Sequence, residues 1–140
     1  MKYEILEHKA DIKIKVFGKT LEELFENAAL AMVSILKHDA NLRMDANAAN
    51  VEKIKIQSSD QETLLADFLN EILAKSQINK KVYKVKSIKF KVLNKRVELE
   101  AEIVGFPIEN FDEDIKAATY HDLKISEKGG SFEAIVLFDI

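Results

Sequence analysis

Carboxylates stand near both ends of this chain, beside apolar segments whose pattern does not require them. Asp11 precedes the alternating apolar residues of segment 12–16, and Asp139 follows the last apolar run, with the carboxylate of Ile140 beside it. Burying a carboxylate at the end of a central strand is costly unless a cation or several donors meet it. If the last strand lies beside the first, these three residues predict an oxygen-rich site suited to Ca²⁺, Mg²⁺ or Mn²⁺. The alternative is that Ile140 is frayed and Asp139 marks the strand's exit into water.

Three further polar residues have both a functional and a structural interpretation. Lys116 could offset the negative charge of Asp139, or it could be a solvated loop lysine. His8 and His121 could be ligands, or hydrogen-bonded structural residues. The sequence contains neither a Gly-x-Ser-x-Gly nucleophile elbow nor a phosphate-binding glycine loop, so a free-standing nucleotide-consuming enzyme is not expected.

The composition favours a folded intracellular protein. Its 140 residues fit one domain spanning 1–140, with 47% hydrophobic residues, four Gly and one Pro. The lack of cysteine excludes disulfides, thiolate zinc sites and cysteine nucleophiles. No segment resembles a signal peptide or a membrane span, so we expect a cytoplasmic protein with no membrane partner. A net charge of −3 gives no global basic field, so any RNA contact is expected to be local or through a partner.

Hydrophobic spacing predicts the elements that must position these residues. After the strand at 12–16, Thr20 and Glu23 form a capping box that begins a first helix of about four to five turns. Segment 38–50 has no sustained period and is predicted to be a loop. Ser59 and Glu62 form a second capping box ahead of a second apolar helix.

A first hairpin is predicted from its charges. A turn at residues 94–95 places Lys91 opposite Glu98 and Lys89 opposite Glu100, with apolar pairs on the other face. The lysine run of this hairpin could bind RNA, but the acidic strand beside it neutralises much of its charge.

A second hairpin is predicted at the end of the chain. A turn at residues 129–130 places His121 opposite Phe138 and Tyr120 opposite Asp139. The final strand is apolar at nearly every position, which is typical of a central strand. The pattern as a whole predicts the α+β class, with two helices packed on a largely antiparallel β-sheet.

Four sequence blocks together resemble the archease family. They are EHKADIKIKVFG at 7–18, TLEELFENAALAM at 20–32, ETLLADFLNEIL at 62–73, and DIKAATYHDLKI at 114–125 with the terminal LFDI. The blocks follow the family's order and span nearly the whole chain. The resemblance implies an archease fold and a non-enzymatic protein cofactor of RtcB-type RNA ligase. Such a cofactor promotes guanylylation of the ligase's active-site histidine and multiple turnover in tRNA splicing and RNA repair.

The resemblance also implies residue roles. Asp11, Asp139 and the Ile140 carboxylate are expected to bind a divalent metal, with Ca²⁺ expected first and Mg²⁺ or Mn²⁺ as alternatives. Lys116 is expected to act in activation of the ligase. The ligase, and not this chain, is expected to make the main contacts with RNA. Supporting roles are expected for the remaining motif residues, which are His8, His121 and Asp114.

The sequence departs from the family pattern at several positions. Lys9 stands where a threonine is common, Ala118 where a valine is usual, and Asp114 where a glutamate is usual. A histidine often found shortly before that acid is missing. The shorter side chain of Asp114 would change the reach of any metal or ligase contact that this acid makes.

Two other classes of function are alternatives. The chain could be a general chaperone or RNA-binding scaffold, or it could be a free-standing metal-dependent hydrolase.

Overall fold

The computed structural model describes residues 1–7, 11–44 and 50–140. Helices and antiparallel strands make up this part of the chain, which confirms the predicted α+β class. In chain order the elements are β1 (Tyr3–Glu7), β2 (Asp11–Gly18), α1 (Leu21–Leu36), α2 (Ala40–Arg43), β3 (Val51–Ser58), α3 (Gln61–Asn79), β4 (Lys81–Leu93), β5 (Arg96–Pro107), β6 (Ala117–Ala118), β7 (Ile125–Lys128) and β8 (Ser131–Asp139).

The strands divide between two sheets. In the first, the order is β1-β2-β8-β6, and β7 also pairs with β8. The second has the order β3-β5-β4. Strand β8 therefore lies inside the first sheet, with β2 on one side and the short strands β6 and β7 on the other, as its continuous apolar character predicts.

The two long helices join the sheets into one core. Helix α1 contacts β2 and β8 of the first sheet and β4 of the second, while α3 contacts all three strands of the second sheet and β6 of the first. Because α1 faces strands of both sheets, most of its residues are buried. Phe25 of α1 illustrates the packing, with its ring centroid 5.9 Å from Phe68 of α3 and 4.9 Å from Phe90 of β4.

Several predictions of local structure are confirmed. The Thr20 hydroxyl accepts from the Glu23 amide at 3.1 Å at the start of α1. The hairpin of β4 and β5 turns at residues 94–95 and pairs Lys91 with Glu98 and Lys89 with Glu100. Among the described residues, no helix is both long enough and apolar enough to cross a membrane.

Other predictions of local structure are wrong. Helix α3 is capped by Asp60, whose side chain accepts from the Thr63 amide at 2.7 Å, and not by Ser59. The described part of the loop predicted at 38–50 contains the one-turn helix α2. Strand β1 was not expected.

The predicted register of the last hairpin is correct for β7, where Ile125 lies opposite Ala134, but it is wrong for the residues before β7. Ala117 lies opposite Asp139 and Ala118 opposite Phe138, the places predicted for Tyr120 and His121. The chain turns at residues 121–122, where Asp122 has a positive φ of 54°, so β7 begins only at Ile125. Tyr120 and His121 therefore do not pair with β8, and Ala117 and Ala118 occupy those two positions.

Candidate functional site

Two carboxylates predicted to form a site are direct neighbours across two strands. Asp11 begins β2 and lies opposite Asp139, the last residue of β8. The next pair, Ile12 and Phe138, faces inward, and Phe138 is completely buried. Because successive side chains of a strand alternate between faces, Asp11 and Asp139 lie on the outer face of the sheet. We call this pair the acidic corner.

The residue after the acidic corner is packed on the core. The half-buried side chain of Ile140 contacts the main hydrophobic cluster, whereas Asp139 is exposed. Apolar contact therefore holds the backbone at the end of β8, in contrast to the frayed arrangement considered from the sequence.

Lys116 joins the acidic corner through its main chain. Its amide donates to the carbonyl oxygen of Asp139 at 2.7 Å, just before Ala117 pairs with the same residue. The side chains of Ile115 and Ala118 are buried on either side, while Lys116 is exposed. Three predicted site residues, Asp11, Asp139 and Lys116, thus come together from three separate strands or their flanks.

Two of the three supporting residues, Asp114 and His121, lie in the described part of the chain, and both are exposed. Asp114 is exposed and lines a depression of about 220 Å³ that Leu36 and Gln77 also line. His121 is exposed, with its Nε2 3.1 Å from Oδ2 of Asp122. His8 lies outside the described residues.

The loop before Lys116 is tied to the end of α1 by a carboxylate. Asp112 accepts from the main-chain amide of His38 at 2.8 Å, and its Oδ1 lies 3.4 Å from Nζ of Lys37. The hydrogen bond from the His38 amide lowers the pKa of Asp112 below its usual range, and the positive charge of Lys37 adds to this effect. The acidic segment ahead of Lys116 is thereby held against the helix at neutral pH.

Polar residues of α3 form a part of the site that the sequence analysis missed. Asp67, Asn70 and Gln77 hydrogen-bond the segment 115–120, which contains Lys116. The Tyr120 hydroxyl donates to Asp67, which raises the pKa of Tyr120 because ionisation would remove that hydrogen bond. The available signal was the spacing of these three residues, which puts them on one side of the helix among apolar neighbours.

The donor atoms at the acidic corner suit a hard cation. Carboxylate oxygens are the preferred ligands of Ca²⁺ and Mg²⁺, and like charges directly opposite each other destabilise a strand pair. Within the ranges 1–7, 11–44 and 50–140, no group of three or more His, Asp or Glu side chains is placed to hold a metal ion. The two side chains of the corner therefore fit a cation site only if further oxygen donors complete it.

Comparisons with known proteins agree on one family. The model of the family described as "Archease protein family (MTH1598/TM1083)" matches residues 3–140. A protein named "Protein archease" from Methanosarcina barkeri is 35% identical over 147 residues, covering 99% of this chain and 95% of that protein. The solution structure of Methanobacterium thermoautotrophicum protein 1598 is 30% identical, with a TM-score of 0.84 and coverage of 99% and 98%.

A more distant solved structure shares the fold alone. The Thermotoga maritima crystal structure, described as "an archease, possible chaperone", is 21% identical, with a TM-score of 0.57 and coverage of 96% of this chain and 94% of that chain.

Proposed function

The chain belongs to the archease family, and on that premise we propose that it activates an RtcB-type RNA ligase. In this role the chain is a protein cofactor. It promotes transfer of GMP from GTP to the ligase's active-site histidine, supports repeated turnover in tRNA splicing and RNA repair, and contacts RNA mainly through the ligase.

The pairing of Asp11 with Asp139 is the observation that carries this proposal. These are two of the residues that the family resemblance implies for the metal site, and they lie directly opposite each other on an outer sheet face. Lys116, the residue implied for activation, donates its amide to Asp139 at 2.7 Å. The three residues can therefore meet one partner surface together.

The proposed cation would be held by Asp11, Asp139 and the carboxylate of Ile140. Ca²⁺ is the first candidate, with Mg²⁺ and Mn²⁺ as alternatives, because all three accept oxygen ligands. When bound, the cation supplies positive charge that offsets the repulsion between the carboxylates and can polarise a phosphate oxygen.

The remaining residues act around that position. The exposed ammonium of Lys116 has three donors and a flexible stem, which suits it to the oxygens of a nucleotide phosphate or to a carboxylate of the ligase. Asp114 and His121 are exposed nearby in sequence and would support the contact with the ligase, as would His8.

A guanylylation assay tests the proposal. A cognate RtcB-type ligase is incubated with GTP and Ca²⁺, Mg²⁺ or Mn²⁺, and GMP bound covalently to the ligase is followed with and without this chain. We expect wild type to accelerate labelling, and Asp139→Asn and Lys116→Ala to lose most of the acceleration. Glu133→Gln is the matched control, because Glu133 is on the same strand and face as Asp139 but lies opposite Phe17. Absence of acceleration by wild type would refute the proposal.

A role as an RNA-binding scaffold is a weaker candidate because the lysines of the second sheet lie beside glutamates that offset their charge. Lys55 lies 3.5 Å from Glu98 and 3.6 Å from Glu100, and β4 presents further lysines to the same acids. RNA binding by the chain alone with a steep salt dependence would favour the scaffold. Binding to unrelated unfolded proteins would favour a chaperone, and hydrolysis of GTP or RNA without ligase would favour a hydrolase.

A further inference from the structure

The side chain of Asn70 holds the short strand β6 as a neighbouring strand would. Its Nδ2 donates to the Ala118 carbonyl at 2.9 Å, and its Oδ1 accepts from the Ala118 amide at 2.8 Å. Strand β6 has only two residues, and β8 pairs with its other side. Both main-chain groups of Ala118 are therefore satisfied by one side chain of α3.

Gln77 holds the same segment on the other side of Lys116. Its Nε2 donates to the carbonyl of Ile115 at 2.7 Å. Asn70 and Gln77 are seven residues apart, about two helical turns, so they lie on the same side of α3. The two amides thus fix the backbone one residue before Lys116 and two residues after it.

These contacts matter for Lys116 because its own side chain provides little restraint. The lysine is exposed, and its stem has several rotatable bonds, so the position of its ammonium group depends on the backbone that carries it. Its amide also donates to Asp139, which connects the same backbone to the acidic corner. A group that acts on a reaction must be held by supporting residues that are themselves fixed.

We propose that Asn70 and Gln77 are positioning residues for ligase activation, which they support by holding the backbone on both sides of Lys116. This inference rests on the proposed function. Neither residue needs to contact the ligase, GTP or a cation. Loss of either amide is expected to lower the maximum rate of guanylylation at saturating concentrations of this chain, with little change in the concentration that gives half of that rate.

The test compares Asn70→Asp with Asn27→Asp. Each change replaces an amide donor by a carboxylate oxygen of the same shape. Asn27 is buried on α1 and donates to the carbonyl of Phe17 at 2.7 Å, at the opposite end of β2 from Asp11. Because Asn27 is the more buried of the two, its replacement should disturb folding at least as much. Gln77→Glu is a second test variant, which removes the donor to Ile115.

The first measurement is single-turnover guanylylation of the ligase, at a temperature where circular dichroism shows every variant folded. We expect Asn70→Asp and Gln77→Glu to reduce the maximum rate at least about tenfold relative to Asn27→Asp. The second is hydrogen exchange of the Lys116 amide by NMR, which needs no ligase. Exchange should accelerate at least about tenfold in the two test variants and stay at the wild-type rate in Asn27→Asp.

The outcomes separate the two proposals. If wild type activates the ligase but both test variants match Asn27→Asp in maximum rate, the positioning role is refuted and the proposed function stands. If the maximum rate falls while Lys116 exchange is unchanged, the residues do not act through this backbone and the inference is also refuted. If wild type does not activate the ligase, the proposed function fails and the positioning role fails with it.

Discussion

Replacement of Asp139 by Asn should change stability in opposite directions with and without a cation. Asp139 and Asp11 are cross-strand partners on the outer face of the first sheet, and Asp139 is exposed. Without a cation, removing one of two opposed negative charges relieves repulsion. With a cation bound, the same change removes a ligand. We therefore expect Asp139→Asn to be more stable than wild type in chelator and less stable than wild type at saturating cation.

The magnitudes follow from the pairing. Two charges about 5 Å apart in water repel by about 0.8 kcal/mol, which physiological salt reduces to roughly half. For a chain of this length, 1 kcal/mol corresponds to roughly 3 °C in Tm, so Asp139→Asn should raise Tm by roughly 1 to 2 °C in chelator. A cation at 100 times its Kd stabilises the wild type by about 2.7 kcal/mol, or roughly 8 °C.

Thermal unfolding monitored by circular dichroism measures both effects. Wild type, Asp139→Asn and Glu133→Gln are unfolded in chelator and in increasing Ca²⁺, Mg²⁺ and Mn²⁺. Glu133→Gln should keep the wild-type response to the cation, because Glu133 has no carboxylate opposite it. A wild-type Tm that does not rise with any of the three ions up to about 10 mM would refute the cation site, since even weak protein calcium sites bind in the millimolar range. A full cation response in Asp139→Asn would show that the ion binds elsewhere.

Three further changes test how the surrounding fold is held. Asp60→Ala should lower the free energy of unfolding by about 1 kcal/mol because it removes the cap of α3, while Ser59→Ala should have little effect in the same urea titration. Gly18→Ala should cost about 1 to 3 kcal/mol, because its Cβ would meet the backbone of Leu24, and differential scanning calorimetry measures the loss. The lowered pKa of Asp112 means that its ionised form stabilises the fold above about pH 3.9 and that this contribution is lost as the pH falls through the folded-state pKa. Urea unfolding of Asp112→Asn and wild type should therefore differ at pH 7 and converge in acid.

Part of the acidic corner could be predicted from the sequence because each of its two strands has a clear apolar pattern. The alternation in β2 and the apolar run of β8 identified each strand, and the end of each run placed Asp11 and Asp139 at their limits. Opposed charges likewise determined the register of β4 and β5. These predictions succeeded because apolar spacing within one strand, or opposed charges across one hairpin, was enough to decide them. The placing of β8 beside β2 was only a condition of the predicted site, because no local pattern links residues 11 and 139.

The last hairpin could not be predicted in the same way. Its turn at residues 129–130 was correct, and β7 pairs with β8 from that turn outward. The pairing of the residues that precede Ile125 depends on a turn at Asp122, whose positive φ is uncommon for a residue other than glycine. The position of β6 depends on Asn70, which is 48 residues away from Ala118. A contact at that separation leaves no periodic signal near β6.

Cation binding and ligase activation should be separable because Asp139 and Asn70 act on different parts of the site. Asp139 supplies a proposed ligand through its side chain and a hydrogen-bond acceptor for Lys116 through its main chain. Asn70 hydrogen-bonds the backbone of Ala118, on the side of β6 that does not pair with β8. Asp139→Asn should therefore lose both the cation response of Tm and ligase activation, whereas Asn70→Asp should lose activation and keep the cation response. Measurement of Tm against cation concentration decides between these outcomes. Loss of the cation response in Asn70→Asp would mean that cation binding at the acidic corner depends on the backbone that carries Lys116, so the two functions would not be separable.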